Sequence, residues 1–196
     1  MKRLLLIFIL AFSFQTLTKG DDIRDFEIEG ISIGDSLLDY VGKNLIESKF
    51  KSFYPNSDKF YLIEFDGTEL KLSDEYTYVS FHLKKNDNDF KIHSIKGMNI
   101  YDNELDACLG KKKIIVNSIK DSLNNPKETS YENNFDNIYG NSKAYISDFE
   151  TKSGFIRIWC TNWDKIWEDK NGWVDTININ LSNDIFLNWL NNEAYK

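Results

Sequence analysis

The segments YTYVSFHL (76–83) and FKIHSIKGMNIY (90–101), separated by the polar tip KKNDND, constrain the fold more than any other stretch. Both runs alternate and are rich in aromatic and β-branched residues, the pattern of two antiparallel strands joined as a hairpin. A two-residue turn at Asn86-Asp87 sets Leu83 opposite Phe90, Phe81 opposite Ile92 and Lys84 opposite Asp89. Apolar and charge pairing then agree, which favours this register over its neighbours.

Other segments extend the same framework. DFEIE (25–29), FYLIEFDG (60–67), KAYISDFE (143–150), GFIRIWCTNW (154–163) and GWVDTININL (172–181) read as strands. Ser36-Leu37-Leu38-Asp39 has the form of a capping box and predicts a helix to about Phe50, with Leu37, Leu38, Val41, Leu45 and Ile46 on one face. A second helix is predicted over 103–123, where Leu105, Cys108, Leu109, Val116, Ile119 and Leu123 form an apolar stripe. The polar segment 124–141 reads as a long loop, and Ile185, Phe186, Trp189 and Leu190 mark a short C-terminal helix. Helices set against antiparallel sheet give an α+β fold with two longer helices and a short closing one. Each half reads as a helix followed by about three strands. The expected organisation is a single domain over 21–196, with 21–101 and 102–196 as two similar lobes within it.

The N-terminus MKRLLLIFILAFSFQTLTKG places Lys2 and Arg3 before an apolar run from Leu4 to Phe14 and a polar flank, the layout of a secretory signal peptide over 1–20. The apolar run is shorter than the roughly 20 residues a membrane-spanning helix needs, so no stable membrane insertion is expected once it is removed. Its loss takes Lys2, Arg3 and Lys19 from a chain whose net charge is already −7. Nucleic acid is a poor partner for so acidic a protein, because counterion release requires a Lys/Arg surface, and Lys111-Lys112-Lys113 is a short cluster on a helix. The expected location is therefore periplasmic or secreted. In that compartment Cys108 and Cys160, the two cysteines of the chain, pair most simply as a disulfide closing a loop of about 50 residues, a stabilisation of roughly 3 to 4 kcal/mol. A free buried pair and a redox pair are the other readings, the latter without a C-x-x-C to support it.

Four groups of residues invite chemistry. GISIG (30–34) matches G-x-S-x-G, but Ile31 and Ile33 bracket Ser32 in an alternation that merely extends a strand, and a helix cap comes only at Asp35-Ser36. Gly30 and Gly34 are better read as turn residues. His82 and His93 fall on one face of the predicted hairpin, nearly opposite, as a candidate pair of metal ligands; a third ligand would have to come from Glu64 or Asp66. Asp102, Asn103 and Glu104 carry calcium-type side chains without the calcium-loop pattern, and helix capping explains them. Trp163 and Trp167 lie among Asn and Asp near a predicted tip, a composition suited to stacking on sugar rings or contacting a partner, whereas Trp159 shares a strand with Cys160 and is expected to pack.

Through FEIEGISIGDSLLDY, CLGKKKIIVNSI and FLNWLNNEAYK the chain resembles a group of small exported proteins of AT-rich bacteria, a resemblance that covers most of its length and implies no activity. Through ISIGDSLLDYV it is also similar to periplasmic helix-plus-sheet modules of the outer-membrane assembly factor and β-lactamase inhibitor type. The expected function is that of a non-catalytic envelope protein, without cofactor, that binds a protein partner or small ligand through Trp163 and Trp167. The alternative is a small periplasmic hydrolase or metal-dependent enzyme using His82 and His93.

Overall fold

A computed structural model describes residues 20–70, 76–101, 104–135 and 138–196. The leader expected over 1–20 lies outside these apart from Gly20, as do Asp102 and Asn103 of the calcium-like triplet. The fold is α+β. Its strands are β1 (Glu27–Ile28), β2 (Ile31–Ser32), β3 (Ser52–Tyr54), β4 (Ser57–Asp66), β5 (Tyr78–Lys84), β6 (Ile92–Ile100), β7 (Glu128–Asn134), β8 (Lys143–Glu150), β9 (Gly154–Asn162) and β10 (Thr176–Asn183). The helices are α1 (Lys43–Ser48), α2 (Leu105–Ser122), α3 (Lys165–Asn171) and α4 (Asp184–Asn192).

β1 and β2 form a small hairpin of their own, and the other strands form one eight-stranded antiparallel sheet in the order β3-β4-β5-β6-β10-β9-β8-β7. Each half of the chain supplies a four-stranded meander, and the two meet where β6 pairs with β10. Alternation along the strands sends Ile63, Phe65, Phe81, Ile95, Leu181 and Ile156 to one face, where all are buried. Two layers cover that face: the N-terminal segment, through Ile23, Ile31, Leu37 and Ile46, and α2, through Val116, Ile119 and Leu123. At the other end of α2, Cys108 is joined to Cys160 of β9 by a disulfide, with Ile177 packed beside it. Gly154 is where the N-terminal segment comes closest to the sheet: a Cβ there would stand 2.3 Å from the Ser182 carbonyl oxygen and 2.9 Å from Ile23 Cβ.

Three expectations are corrected. The single helix from Ser36 is instead a 3-10 turn at Leu37–Asp39 followed by α1, interrupted at Gly42, whose backbone is extended. Ser36 does cap the first turn: its Oγ accepts from the Leu38 N–H at 3.2 Å and donates to the Asp89 carbonyl at 2.6 Å. The β5–β6 hairpin has a longer tip than expected. Leu83 pairs with Ile92 and His82 with Ser94, so His93 bulges out of the ladder. Asp87 sets this geometry, its carboxylate accepting from the N–H groups of Asp89 and Lys91 at 3.0 and 3.1 Å, while Asn86 and Phe90 turn the chain in left-handed conformations. Finally, β7 occupies much of the stretch expected as a loop, paired along its whole length with β8.

Candidate functional site on the open face of the sheet

β10 carries the sequence TININLSN, whose apolar residues Ile177, Ile179 and Leu181 enter the core. Thr176, Asn178, Asn180 and Ser182 therefore occupy the opposite face. The pairing registers continue this face across the sheet in rows: Lys96, Asn180, Arg157, Asp148; then Met98, Asn178, Trp159, Ile146; and Ser94, Ser182, Phe155. α4 stands over one end of this face, and an aromatic cluster beside α3 stands at the other. α4 begins where Asn183 accepts from the Phe186 N–H at 2.9 Å, and it packs Phe186 and Trp189 on Phe60. α3 begins where Asp164 accepts from the Ile166 N–H at 3.0 Å and ends at the left-handed Gly172.

Two cavities lie between these walls. That beside α4, about 380 Å³, is lined by Tyr54, His82, Ser94, Asn180, Ser182, Arg157, Phe155 and Trp159 on the sheet and by Phe186, Leu187, Leu190 and Asn191 on the helix. The second, about 370 Å³, is lined by Asn178, Thr176, Thr161 and Met98, with Trp163 and Trp173 as a wall. Trp159 lines both.

The floor is polar, mostly buried and partly hydrogen-bonded within itself. Asn180 Nδ2 donates to Ser94 Oγ at 3.0 Å, Ser182 Oγ lies 2.7 Å from Asn180 Oδ1, and the two serine hydroxyls are 2.8 Å apart. Ser182 has one proton for two acceptors, Asn180 Oδ1 and Ser94 Oγ, and Ser94 Oγ also accepts from Asn180. Asn178 Nδ2 donates to Thr176 Oγ1 at 2.9 Å. Arg157 forms a fork on Asp148, Nε to Oδ1 at 2.8 Å and Nη2 to Oδ2 at 2.9 Å, and Nη2 also donates to the Tyr131 hydroxyl at 3.1 Å. Lys96 sits deeper, and burial holds its ammonium below the usual lysine range while Glu64 opposes that shift.

His82 and His93 both lie at the α4 end, engaged in packing. The His82 ring lies against Phe186 with centroids 4.3 Å apart, and its Nε2 is 2.7 Å from the Tyr54 hydroxyl. Burial first, and then the charge on Lys96, lower its pKa from 6.5 to about 3, while burial raises Tyr54 to about 12. A neutral imidazole thus faces a phenol that keeps its proton. His93 meets Phe60 edge-on at 5.0 Å, and its Nδ1 is 3.1 Å from Asn183 Nδ2. Among the described residues, no third His, Cys, Asp or Glu joins them in a metal-binding group.

The His82 environment gives a testable pH dependence. Its folded pKa lies below its unfolded value, so stabilisation is complete above pH 6.5 and is lost as pH falls toward about 3. At about pH 5 the loss is ~2 kcal/mol. Urea unfolding at pH 7 and pH 5 should show His82→Gln losing about that much less than the parent over the interval. Equal losses in the two proteins would contradict the assignment.

Trp163 and Trp167 are both drawn into the aromatic cluster. Trp163 lies 4.4 Å from Trp173 and stacks on Phe135 at 5.3 Å, while Trp167 stacks on Trp173 at 5.7 Å, with Tyr139 edge-on to all three tryptophans. Trp163 and Trp173 line the second cavity; Trp167 instead carries Lys170 over its ring at 4.8 Å. Asp175 fixes this end by accepting from the Trp163 N–H at 2.7 Å, and Asp164 holds the Asn141 N–H at 2.8 Å. Trp159, expected to pack, is instead partly exposed on the open face, opposite the buried Cys160 beside it. Ser32 belongs to β2, its N–H donating to Asp35 Oδ2 at 2.9 Å, and Gly30 and Gly34 flank it at φ values of 75° and 95°. It therefore occupies a small hairpin, with the glycines at its turns.

No protein-family model, curated protein or solved structure matches the chain.

Proposed function

We propose that this is an exported, non-catalytic protein of the cell envelope that holds a small ligand or a protein partner on the open face of its sheet. The observation that carries the reading is the pair of cavities joined at Trp159, walled by α4 on one side and by Trp163 and Trp173 on the other. Such concave, partly apolar sites with a few convergent polar groups are where proteins take up ligands. The Cys108–Cys160 disulfide supports an oxidising compartment. None of the described helices is long and apolar enough to cross a membrane. The packing of both histidine rings against Phe60 and Phe186 supports this reading over a hydrolase or metal-dependent enzyme using His82 and His93.

Site-specific photocrosslinking in the native envelope tests the binding role. A photoreactive residue at Asn191, on the rim of the first cavity, should give a light-dependent adduct. The same group at Ile114, exposed on α2 across the sheet, should give none. Equal labelling from both positions, or none from either, would refute a binding role for the open face.

A further inference from the structure

We infer that the ligand of the open face is a neutral oligosaccharide whose consecutive rings lie on either side of Trp159, an inference that rests on the binding role proposed above. The two cavities have nearly equal volumes, about 380 and 370 Å³, and meet at one indole, so the surface offers two similar compartments. Each combines an aromatic wall with a floor of amides and hydroxyls. Asn180, Ser94 and Ser182 line the first, and Asn178, Thr176 and Thr161 line the second. Amide and hydroxyl side chains both donate and accept, as sugar hydroxyls do, while the C–H faces of a pyranose match an indole ring.

Charge narrows the class. No carboxylate lines either cavity, and Arg157, the one guanidinium there, is committed through its fork to Asp148 and its bond to Tyr131. An anionic ligand would have to compete with Asp148 for Arg157. The backbone narrows it further. The floor lies on β6, β10 and β9 in the middle of the sheet, where ladder bonds occupy the main chain, so a peptide has no strand edge to extend. An acyl chain would lay hydrocarbon on the row of amides and hydroxyls and offer them no hydrogen bond. The walls are also held in place before binding: Asp175 fixes Trp163, and Tyr139 supports Trp163 and Trp173 edge-on, which limits the ordering that binding must impose.

The purified disulfide-bonded protein is applied to an array of neutral hexose and N-acetylhexosamine oligosaccharides alongside uronate and sulfated glycans, and the hits are titrated by tryptophan fluorescence and calorimetry. A neutral oligosaccharide should bind at least about tenfold more tightly than its monosaccharide, because it fills both compartments. Trp159→Ala and Asn180→Ala should each weaken it by about tenfold or more, while Ile114→Ala should not. Unchanged thermal unfolding of Asn180→Ala secures the result should Trp159→Ala fold poorly. Silence across the neutral glycans, binding confined to the anionic ones, or affinity indifferent to both substitutions would overturn the inference. If Asn191 still crosslinks while the neutral glycans stay silent, the binding role stands and the sugar assignment alone falls.

Discussion

Replacing Trp189 with alanine should lower the unfolding free energy by about 3–5 kcal/mol, the range for deleting a fully buried tryptophan. The side chain is 1% exposed, lies 4.9 Å from both Tyr54 and Phe60 by ring centroid, and donates its Nε1 proton to Ser57 Oγ at 2.9 Å. α4 has only nine residues, too few to persist as a helix without packing, so this one indole and Phe186 hold it to the β3–β4 edge. The consequence reaches His82. With α4 loosened, the imidazole loses the cover of Phe186 and regains water, and its pKa should climb from about 3 toward 6.5. Urea unfolding measures the first effect, and an NMR titration of the histidine ring measures the second. Trp189→Phe, which keeps a ring but drops the proton donated to Ser57, should fall between parent and alanine variant. A loss below about 1 kcal/mol with an unmoved His82 titration would show that α4 is held by something else.

The sheet framework was legible wherever strands have one buried face. β5 and β10 alternate apolar with polar residues, β4, β6, β8 and β9 are rich in aromatic and β-branched residues, and α2 and α4 each show an apolar stripe. β7 could not be read in this way. Its sequence ETSYENN is polar almost throughout, because an edge strand that pairs on one side buries neither face deeply enough to impose a period. It is held instead by its ladder to β8 and by Glu128, which ion-pairs with Lys120 and accepts from Ser147 Oγ at 2.9 Å. Burial alone would raise the Glu128 pKa, but hydrogen bonds from Lys120, Ser130 and Ser147 bring it down to about 2. The hairpin register failed for a different reason: side-chain pairing favoured a two-residue turn, whereas Asp87 organises a longer one through two backbone bonds. Local turn chemistry outweighed cross-strand preference there.

Of the site, the sequence showed the components better than their arrangement. Trp163 was recognised as a candidate and does line a cavity. Trp159 is expected to pack, yet strand alternation sets it on the face opposite the disulfide-bonded Cys160, so that signal was present. The same rule applied to TININLS would have separated Asn178, Asn180 and Ser182 from the isoleucines between them. Which strands those side chains adjoin was not accessible in this way. The pairing of β6 with β10 joins residues 76 to 88 positions apart, and it is this non-local contact that brings Ser94 to Ser182 and Asn180.

Removing the disulfide by replacing Cys108 and Cys160 together with alanine should lower stability by about 4 kcal/mol and the melting temperature by about 10 °C. The figure follows from the 52-residue separation, since the bond restricts the unfolded chain over that whole span. In the folded state the bond anchors the first turns of α2: Cys108 holds them to β9, while Val116 and Ile119 hold its second half to the core. The two contributions can be separated. Restriction of the unfolded chain predicts a larger denaturant slope for the variant, because its unfolded state exposes more surface. Anchoring predicts lost amide protection in the first turns of α2, with the segment around Val116 and Ile119 still protected. Reduction of the parent with dithiothreitol should reproduce both effects. If the double variant keeps its midpoint within a degree or two, the Cys108–Cys160 bond adds little to the packing of Ile177, Leu105 and Leu109 around it, and that packing alone fixes the start of α2 on the sheet.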